Sequence, residues 1–168
     1  MAFVRAARPD DAGAIAAIHL RAWRDRYPSW PETVWHRLEE ASTEPSWRAA
    51  IAEPPSPEHL ILVATDDSDR VCGFATIAPG EELDHTLIEL LEVDPVSRRA
   101  GHGSRLMSAV VAHSDHREGL LFWIDQGSDA SRFLVDSGWG PRGHRRVLEI
   151  DADLHLPQHE WWTRIGDE

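Results

Sequence analysis

The chain alternates between two hydrophobic periods. Phe3 to Ala7 alternates apolar with other side chains, as a short strand does. From Ile15 the period lengthens: Ile15, Ile18, Leu20, Ala22 and Trp23 form a broad stripe at helical spacing. Pro9, Asp10 and Asp11 open this helix at the positive end of its dipole, and Pro28 stops it. From Trp30 to Ile51 the pattern stays helical but is interrupted, with starts near Pro31 and Pro45. EPPSPEH is a loop, because its prolines sustain neither regular structure. LILVAT and VCGFATI read as two strands joined by the turn DDSDR. TLIELLEV is a strand with Leu87, Glu89, Leu91 and Val93 on one face and Ile88, Leu90 and Glu92 on the other.

A helix is expected from about Gly103 to Ala112, and a buried strand at LLFWI, from Leu120 to Ile124. SDASRFLVDSGW is a helix that Ser128 caps and Gly138 ends. RRVLEI reads as the last strand. The tail from Asp151 is less regular and is expected to pack across the sheet through Trp161 and Trp162. Strands interleaved with helices predict a mixed α/β sheet in a single domain over residues 1–168, with a core at about 3–150 and a tail at 151–168.

Between the fourth strand and the following helix lies VDPVSRRAGHGS, the most informative stretch of the chain. Strand, glycine-rich turn and helix together gather free N–H groups and a helix dipole, which favour an anion. Gly101 and Gly103 allow close approach of the backbone, Arg98 and Arg99 add charge, and Ser104 adds a hydroxyl. The spacing is neither a P-loop nor a dinucleotide fingerprint. On these residues alone, a nucleotide phosphate or a turn that merely caps the helix stays open.

Arg98-x-x-Gly101-x-Gly103 after Leu91-x-Val93-x-Pro95 resembles the acyl-CoA motif of the GNAT superfamily of N-acyltransferases. VRAARPDDAGAIAAIHLRAW is similar to that family's first strand and helix, DDSDRVCGFATI to its second hairpin, and ASRFLVDSGW to its late helix. The resemblance covers roughly residues 3 to 150. It implies a mostly antiparallel central sheet flanked by helices and splayed between the fourth and fifth strands. It also implies acetyl-CoA as co-substrate, with no metal. The pantetheine amides would pair with the backbone at Leu91, Glu92 and Val93. The pyrophosphate would rest on Arg98, Arg99, Ala100, Gly101, His102, Gly103 and Ser104, and Phe133 would lie near the thioester. The acceptor implied is a primary amine of a small molecule or a peptide, acetylated by direct transfer in a ternary complex. Dimers are common in the family, so a homodimer is an expectation.

Acyl transfer to an amine needs a base for the ammonium proton, polarisation of the thioester carbonyl and a proton for the leaving thiolate. Glu89 is the first candidate for the base, as a carboxylate expected among apolar neighbours and hence raised in pKa. Pairing with an arginine on the next strand is its structural alternative. Asp84 and His85 are rivals that can act through water. The tyrosine that in many family members protonates the thiol is replaced by Leu134, and Gly127 stands where an asparagine is frequent. Ser131 or water then has to assist. Trp23, Tyr27 and Trp30 are candidates for an aromatic wall around a cationic acceptor, with core packing as the alternative. Leu134 also motivates a second reading, an acyl-CoA-binding sensor or interaction module with little turnover.

Charge and composition narrow the picture further. The net charge of -12 argues against a nucleic-acid partner and is compatible with an amine acceptor. All 17 basic residues are arginine. No apolar run approaches the roughly 20 residues of a membrane span, and MAFVRAARPD lacks the apolar core of a secretory leader. Cys72 is the single cysteine and reads as a small core residue. A cytoplasmic protein is the expectation. His113 and His116 at a helix end have no zinc spacing and are expected to face solvent.

Overall fold

A computed structural model describes residues 3–82 and 84–166. The elements follow in the order β1 (Phe3–Ala6), α1 (Ala12–Arg26), α2 (Glu32–Ala41), α3 (Glu44–Ala52), β2 (Leu60–Thr65), β3 (Val71–Pro79) and β4 (His85–Val93). Then come α4 (His102–His113), β5 (Gly119–Asp125), α5 (Ala130–Asp136), β6 (Gly140–Asp151) and β7 (Leu154–Arg164). The strands form a seven-stranded sheet in the order β1-β2-β3-β4-β5-β7-β6. Two compact units share it. One holds the chain up to Ile77 with Leu90–Ala112, and the other Ala78–Glu89 with the chain from His113 on.

In the first unit β1 runs antiparallel to β2, with Phe3 opposite Thr65, and β2 antiparallel to β3, with Leu60 opposite Ile77. Its core is Ile15, Ile18, Val63 and Phe74, with Trp47, Ile51, Ile61 and Leu90 packed against it. The expected stripe of α1 is therefore the buried one, with Ala12 and Ala16 added and Leu20 only half-buried. The start of α1 is fixed by Asp11. It accepts two hydrogen bonds from the Arg5 guanidinium at 2.7 and 3.0 Å and one from the Arg8 N–H at 2.7 Å. Burial pushes the Asp11 carboxyl up, but these bonds outweigh it and hold its pKa below the ordinary range. The predicted interruption between Trp30 and Ile51 is real. Thr43 and Ser46 form a reciprocal capping box at the start of α3, and Pro45 occupies its first turn, where no N–H is missed.

In the second unit β5 pairs in parallel with β4 from His85↔Gly119 to Ile88↔Phe122, and antiparallel with β7 along its whole length. The ladder with β4 stops at Ile88, and β4 continues through Glu89 to Val93, which is the splay. β6 pairs with β7, with register shifts after Pro141 and Glu149. The tail expected to be irregular is thus corrected: it is β7, flanked on both sides by strands. No described helix is long and apolar enough to cross a membrane.

His19 makes the first unit sensitive to acid. Its ring meets Trp23, Trp47 and Phe74 edge-on, and its Nδ1 lies 3.0 Å from Ser42 Oγ. Burial, aided by the charge of Arg26, holds its pKa down to about 4. In the unfolded chain a histidine titrates near 6.5. The unfolded state therefore gains a proton first, and stability falls as pH drops from about 6.5 towards 4, then levels off. Between pH 7 and 4.5 this contribution is about 2 kcal/mol. Urea unfolding at the two pH values should show a wild-type loss larger by that amount than that of His19→Gln. Equal losses refute the linkage.

Candidate functional site

At the end of β4, Asp94 organises the turn that follows. It is buried, accepts from the Val96 N–H and from the Arg21 guanidinium at 2.8 Å, and its own N–H donates to the Cys72 carbonyl at 2.8 Å. Burial raises the Asp94 pKa, but the Arg21 and Val96 hydrogen bonds prevail and keep it below the usual carboxylate range. A short 3-10 turn, Pro95–Ser97, leads to Arg98, whose guanidinium pairs with Asp25 of α1 at 2.6 Å. Arg99 and Gly101 both take left-handed backbone, at φ 64° and 80°. Arg98 to Gly101 and Ser104 are exposed, whereas His102 is buried at the first position of α4. Leu91 and Val93 are half-buried on β4.

The two glycines of the motif differ in kind. A Cβ on Gly101 would stand 3.0 Å from Arg105 Nη1 and would have to sit at positive φ, so the fold itself demands glycine there. A Cβ on Gly103 would meet only Val93 Cγ2, at an ordinary 3.9 Å. Nothing within its unit requires glycine at 103.

Towards α1, the aromatic residues and Glu92 form one cluster. Glu92 is buried, accepts from Trp23 Nε1 at 2.9 Å, and holds Arg26 at 2.6 Å. Burial lowers the Arg26 pKa, but the charge and hydrogen bond of Glu92, together with Tyr27, outweigh it and leave it raised. Tyr27 stacks on Trp30 at 4.1 Å, and Trp23 meets both rings edge-on. One of the rings offered for an external cation already carries an internal one: Arg26 lies 5.6 Å from the Tyr27 ring, while Arg24 lies 4.7 Å from Trp35, a neighbour of Trp30. Trp30 is buried, while Trp23 and Tyr27 remain partly open.

The remaining candidates lie in the second unit. Glu89 is the first residue beyond the β4–β5 ladder, and it is exposed; the expected burial among apolar neighbours is corrected. His85 is buried against β5, where a Cβ on Gly119 would come within 3.0 Å of its Cδ2. Its Nδ1 lies 3.5 Å from Glu82 Oε2 without a hydrogen bond. Asp84 is exposed, and its carbonyl accepts from the Glu118 N–H. Ser131 donates its hydroxyl proton to the Ser128 carbonyl at 2.8 Å, which leaves it engaged at the start of α5. Phe133 is half-buried, and Leu134, where a tyrosine would stand, is wholly buried. Among the described residues no group of His, Cys, Asp and Glu is disposed to hold a metal ion.

Sequence reasoning missed the links that α1 makes to the turn, Arg21–Asp94, Asp25–Arg98 and Arg26–Glu92. The one available signal was Glu92 itself, a charge on a strand face otherwise apolar, which demands a partner if buried. Missed too were Arg105 under the turn and the chain Glu82–Arg142–Glu160–His144 in the second unit.

The contrast between the glycines gives an expected outcome. Gly101→Ala should lower stability by about 1–2 kcal/mol, from the left-handed backbone. Gly103→Ala should leave it within about 1 kcal/mol of wild type or raise it, since alanine favours helix. Urea unfolding of the two variants checks this; equal destabilisation contradicts it.

Comparison with known proteins agrees with this architecture. The sequence profile described as the Acetyltransferase (GNAT) family matches residues 15–138. The mycothiol acetyltransferase of Rhodococcus jostii (strain RHA1) is 34% identical over 100 residues, which are 58% of this chain and 31% of that protein. That of Rhodococcus erythropolis (strain PR4 / NBRC 100887) is 27% identical over 144 residues, 81% of this chain and 46% of that one. The chain thus spans less than half the length of these curated relatives. Among solved structures, an N-acetyltransferase from Staphylococcus aureus Mu50 has the same fold, with a TM-score of 0.76, 19% identity and 99% of each chain covered. So has the PaiA N-acetyltransferase of Thermoplasma acidophilum in complex with coenzyme A, at a TM-score of 0.71 and 12% identity over 98% of this chain and 99% of that one. With a profile match over residues 15–138, the chain belongs to the acetyltransferase (GNAT) family.

Proposed function

We propose that the protein is an acetyl-CoA-dependent N-acetyltransferase, transferring an acetyl group directly to a primary amine in a ternary complex. The observation that carries this reading is the glycine-bearing turn Arg98–Ser104, exposed at Arg98 to Gly101 and at Ser104, running into α4. Gly103 supports it further: a glycine the fold does not require suits a backbone that a phosphate must approach closely. The main chain of Leu91, Glu92 and Val93 would pair with pantetheine, and Phe133 would border the thioester. The relatives named for mycothiol favour a small-molecule acceptor over a peptide.

In the transfer, the neutral amine nitrogen attacks the thioester carbonyl carbon, and the carbonyl oxygen takes up negative charge. The tetrahedral adduct then collapses, breaking the C–S bond. The amine proton goes to Glu89, directly or through water, for which an exposed carboxylate is accessible. The departing thiolate takes its proton from water, because Leu134 has none to give and the Ser131 hydroxyl is already committed. Operation in the cytoplasm and as a homodimer belongs to the same proposal.

One observation favours a second reading. Leu134 is wholly buried, which suits an acyl-CoA-binding module that turns over little. Thiol release from acetyl-CoA over a panel of amines separates the two. Transfer to even one amine supports the enzyme, and tight binding with no release supports the module. Glu89→Gln should lower kcat by about 10²-fold or more at neutral pH; full activity removes Glu89 from the base role. Gly103→Ala should fold as wild type and bind coenzyme A at least tenfold more weakly.

Two neighbours of the turn should also tune binding. Asp25 neutralises Arg98 at 2.6 Å in a half-exposed pair worth at most about 1 kcal/mol. Asp25→Asn should therefore tighten coenzyme A binding by up to about fivefold at low salt, an effect that fades at 0.5 M salt. Titrations at the two ionic strengths check it, and weaker binding by the variant contradicts it.

A further inference from the structure

Arg105 lies one turn into α4 and is half-buried. Its Nη2 donates to the Ala100 carbonyl at 2.8 Å, and its backbone N–H donates to the Gly101 carbonyl at 3.0 Å. Two consecutive carbonyls of the turn are thereby drawn towards one residue. Every described peptide bond is trans, so the N–H of each peptide unit points opposite to its carbonyl. The N–H groups of Gly101 and His102 share those two units and are turned away from Arg105, to the other side of the turn.

The guanidinium is also fixed from below. Its Nη2 lies 3.0 Å from His102 Nδ1, which must accept, since guanidinium only donates. Burial and then the Arg105 charge lower the His102 pKa, against an opposing pull from Asp66, which keeps that nitrogen free to accept. Nη1 stands 3.0 Å from the place of a Cβ on Gly101. Arg105 Nε is buried without a hydrogen-bond partner, a cost that the fold alone does not repay.

We propose that Arg105 is a positioning residue for the coenzyme's diphosphate. Its side chain holds the Ala100 carbonyl away from the anion and the Gly101 N–H towards it, beside the main-chain bond that sets the Gly101 carbonyl, and it places a fixed positive charge behind them. This rests on the acetyl-CoA reading above. Both side-chain contacts come from one nitrogen, Nη2, so what a lysine lacks is not donors but the rigid, planar guanidinium that sets where that nitrogen stands.

The test is equilibrium titration of wild type, Arg105→Met and Arg105→Lys with coenzyme A and, separately, with pantetheine, which lacks the diphosphate. Quenching of tryptophan fluorescence reports binding, and far-UV circular dichroism reports folding. The Kd for coenzyme A should rise at least tenfold in Arg105→Met, and Arg105→Lys should recover less than threefold of that. The Kd for pantetheine should stay within twofold of wild type in both. A coenzyme A Kd within twofold of wild type in Arg105→Met overturns the proposal. Equal weakening of both ligands also overturns it, as the mark of a merely structural residue. If Arg105→Met does not fold, the same criteria apply to Arg105→Lys, whose full affinity for coenzyme A overturns the proposal. Wild-type protein that binds no coenzyme A at all sinks the acetyl-CoA reading itself, a result distinct from any difference between variants.

Discussion

A buried carboxylate has to be neutralised, and the first unit is arranged around that constraint. Glu92 is 4% exposed near the end of β4, and its charge is met by Arg26 and by the Trp23 N–H, both on α1. Removing one partner of such a pair leaves an uncompensated charge, so the contact is costly to break even where its net worth is small. It is the inner member of a set. Arg21 holds Asp94 two residues further along the chain, and Asp25 holds Arg98 beyond that. One helix therefore grips successive points of the strand end and of the turn that follows. The outer contact, Asp25–Arg98, is half-exposed and screened, while the inner one is fixed. The grip loosens in the direction of the exposed turn.

That gradient explains which parts of the protein were legible in the sequence. Helix boundaries were local: Pro28, Pro45 and Gly138 act on their own backbone and carry the same meaning in any context. The motif from Arg98 to Gly103 was legible because glycine and arginine spacing is itself the chemistry. The ion pairs of α1 were not. They join residues 66 and 73 positions apart, and periodicity carries no information on such partners. β7 was hidden for a different reason. Its buried positions include Gln158 and Glu160, so an alternation that should read apolar reads polar. Those side chains are satisfied by Asp125, Arg146 and His144 on the strands to either side, partners known only once the strands are paired.

Glu89 and the aromatic residues show the same limit at the candidate site. Strand alternation placed Glu89 on an apolar face, but the β4–β5 ladder ends one residue earlier, so Glu89 has no partner in register on the β5 side and is exposed. Periodicity cannot see where a ladder stops. Trp23, Tyr27 and Trp30 were legible as an aromatic group, and they do come together. What the pattern could not reveal is that the protein supplies its own cation, Arg26, to the Tyr27 ring, and a second, Arg24, to the adjoining Trp35. Cations are drawn to ring faces, and the Tyr27 ring already has one.

The turn itself separates what the fold needs from what a ligand needs. Gly101 and Arg105 are coupled: the left-handed backbone strains any side chain at 101, the guanidinium lies 3.0 Å from where its Cβ would stand, and the guanidinium takes the carbonyl just before it. Gly103 is under no such constraint. Two glycines of one motif thus differ, one required by conformation and the other by nothing within its unit. A turn pre-set by its own side chains loses less entropy on binding than one ordered by the anion, which is the advantage of fixing its carbonyls in advance. The same logic accounts for tolerance of Arg99 in a left-handed conformation that arginine rarely adopts. Strain stored in an exposed turn is sustainable when the neighbours on both sides, Asp94 held by Arg21 and the first turn of α4 held by Arg105, leave the chain no relaxed alternative.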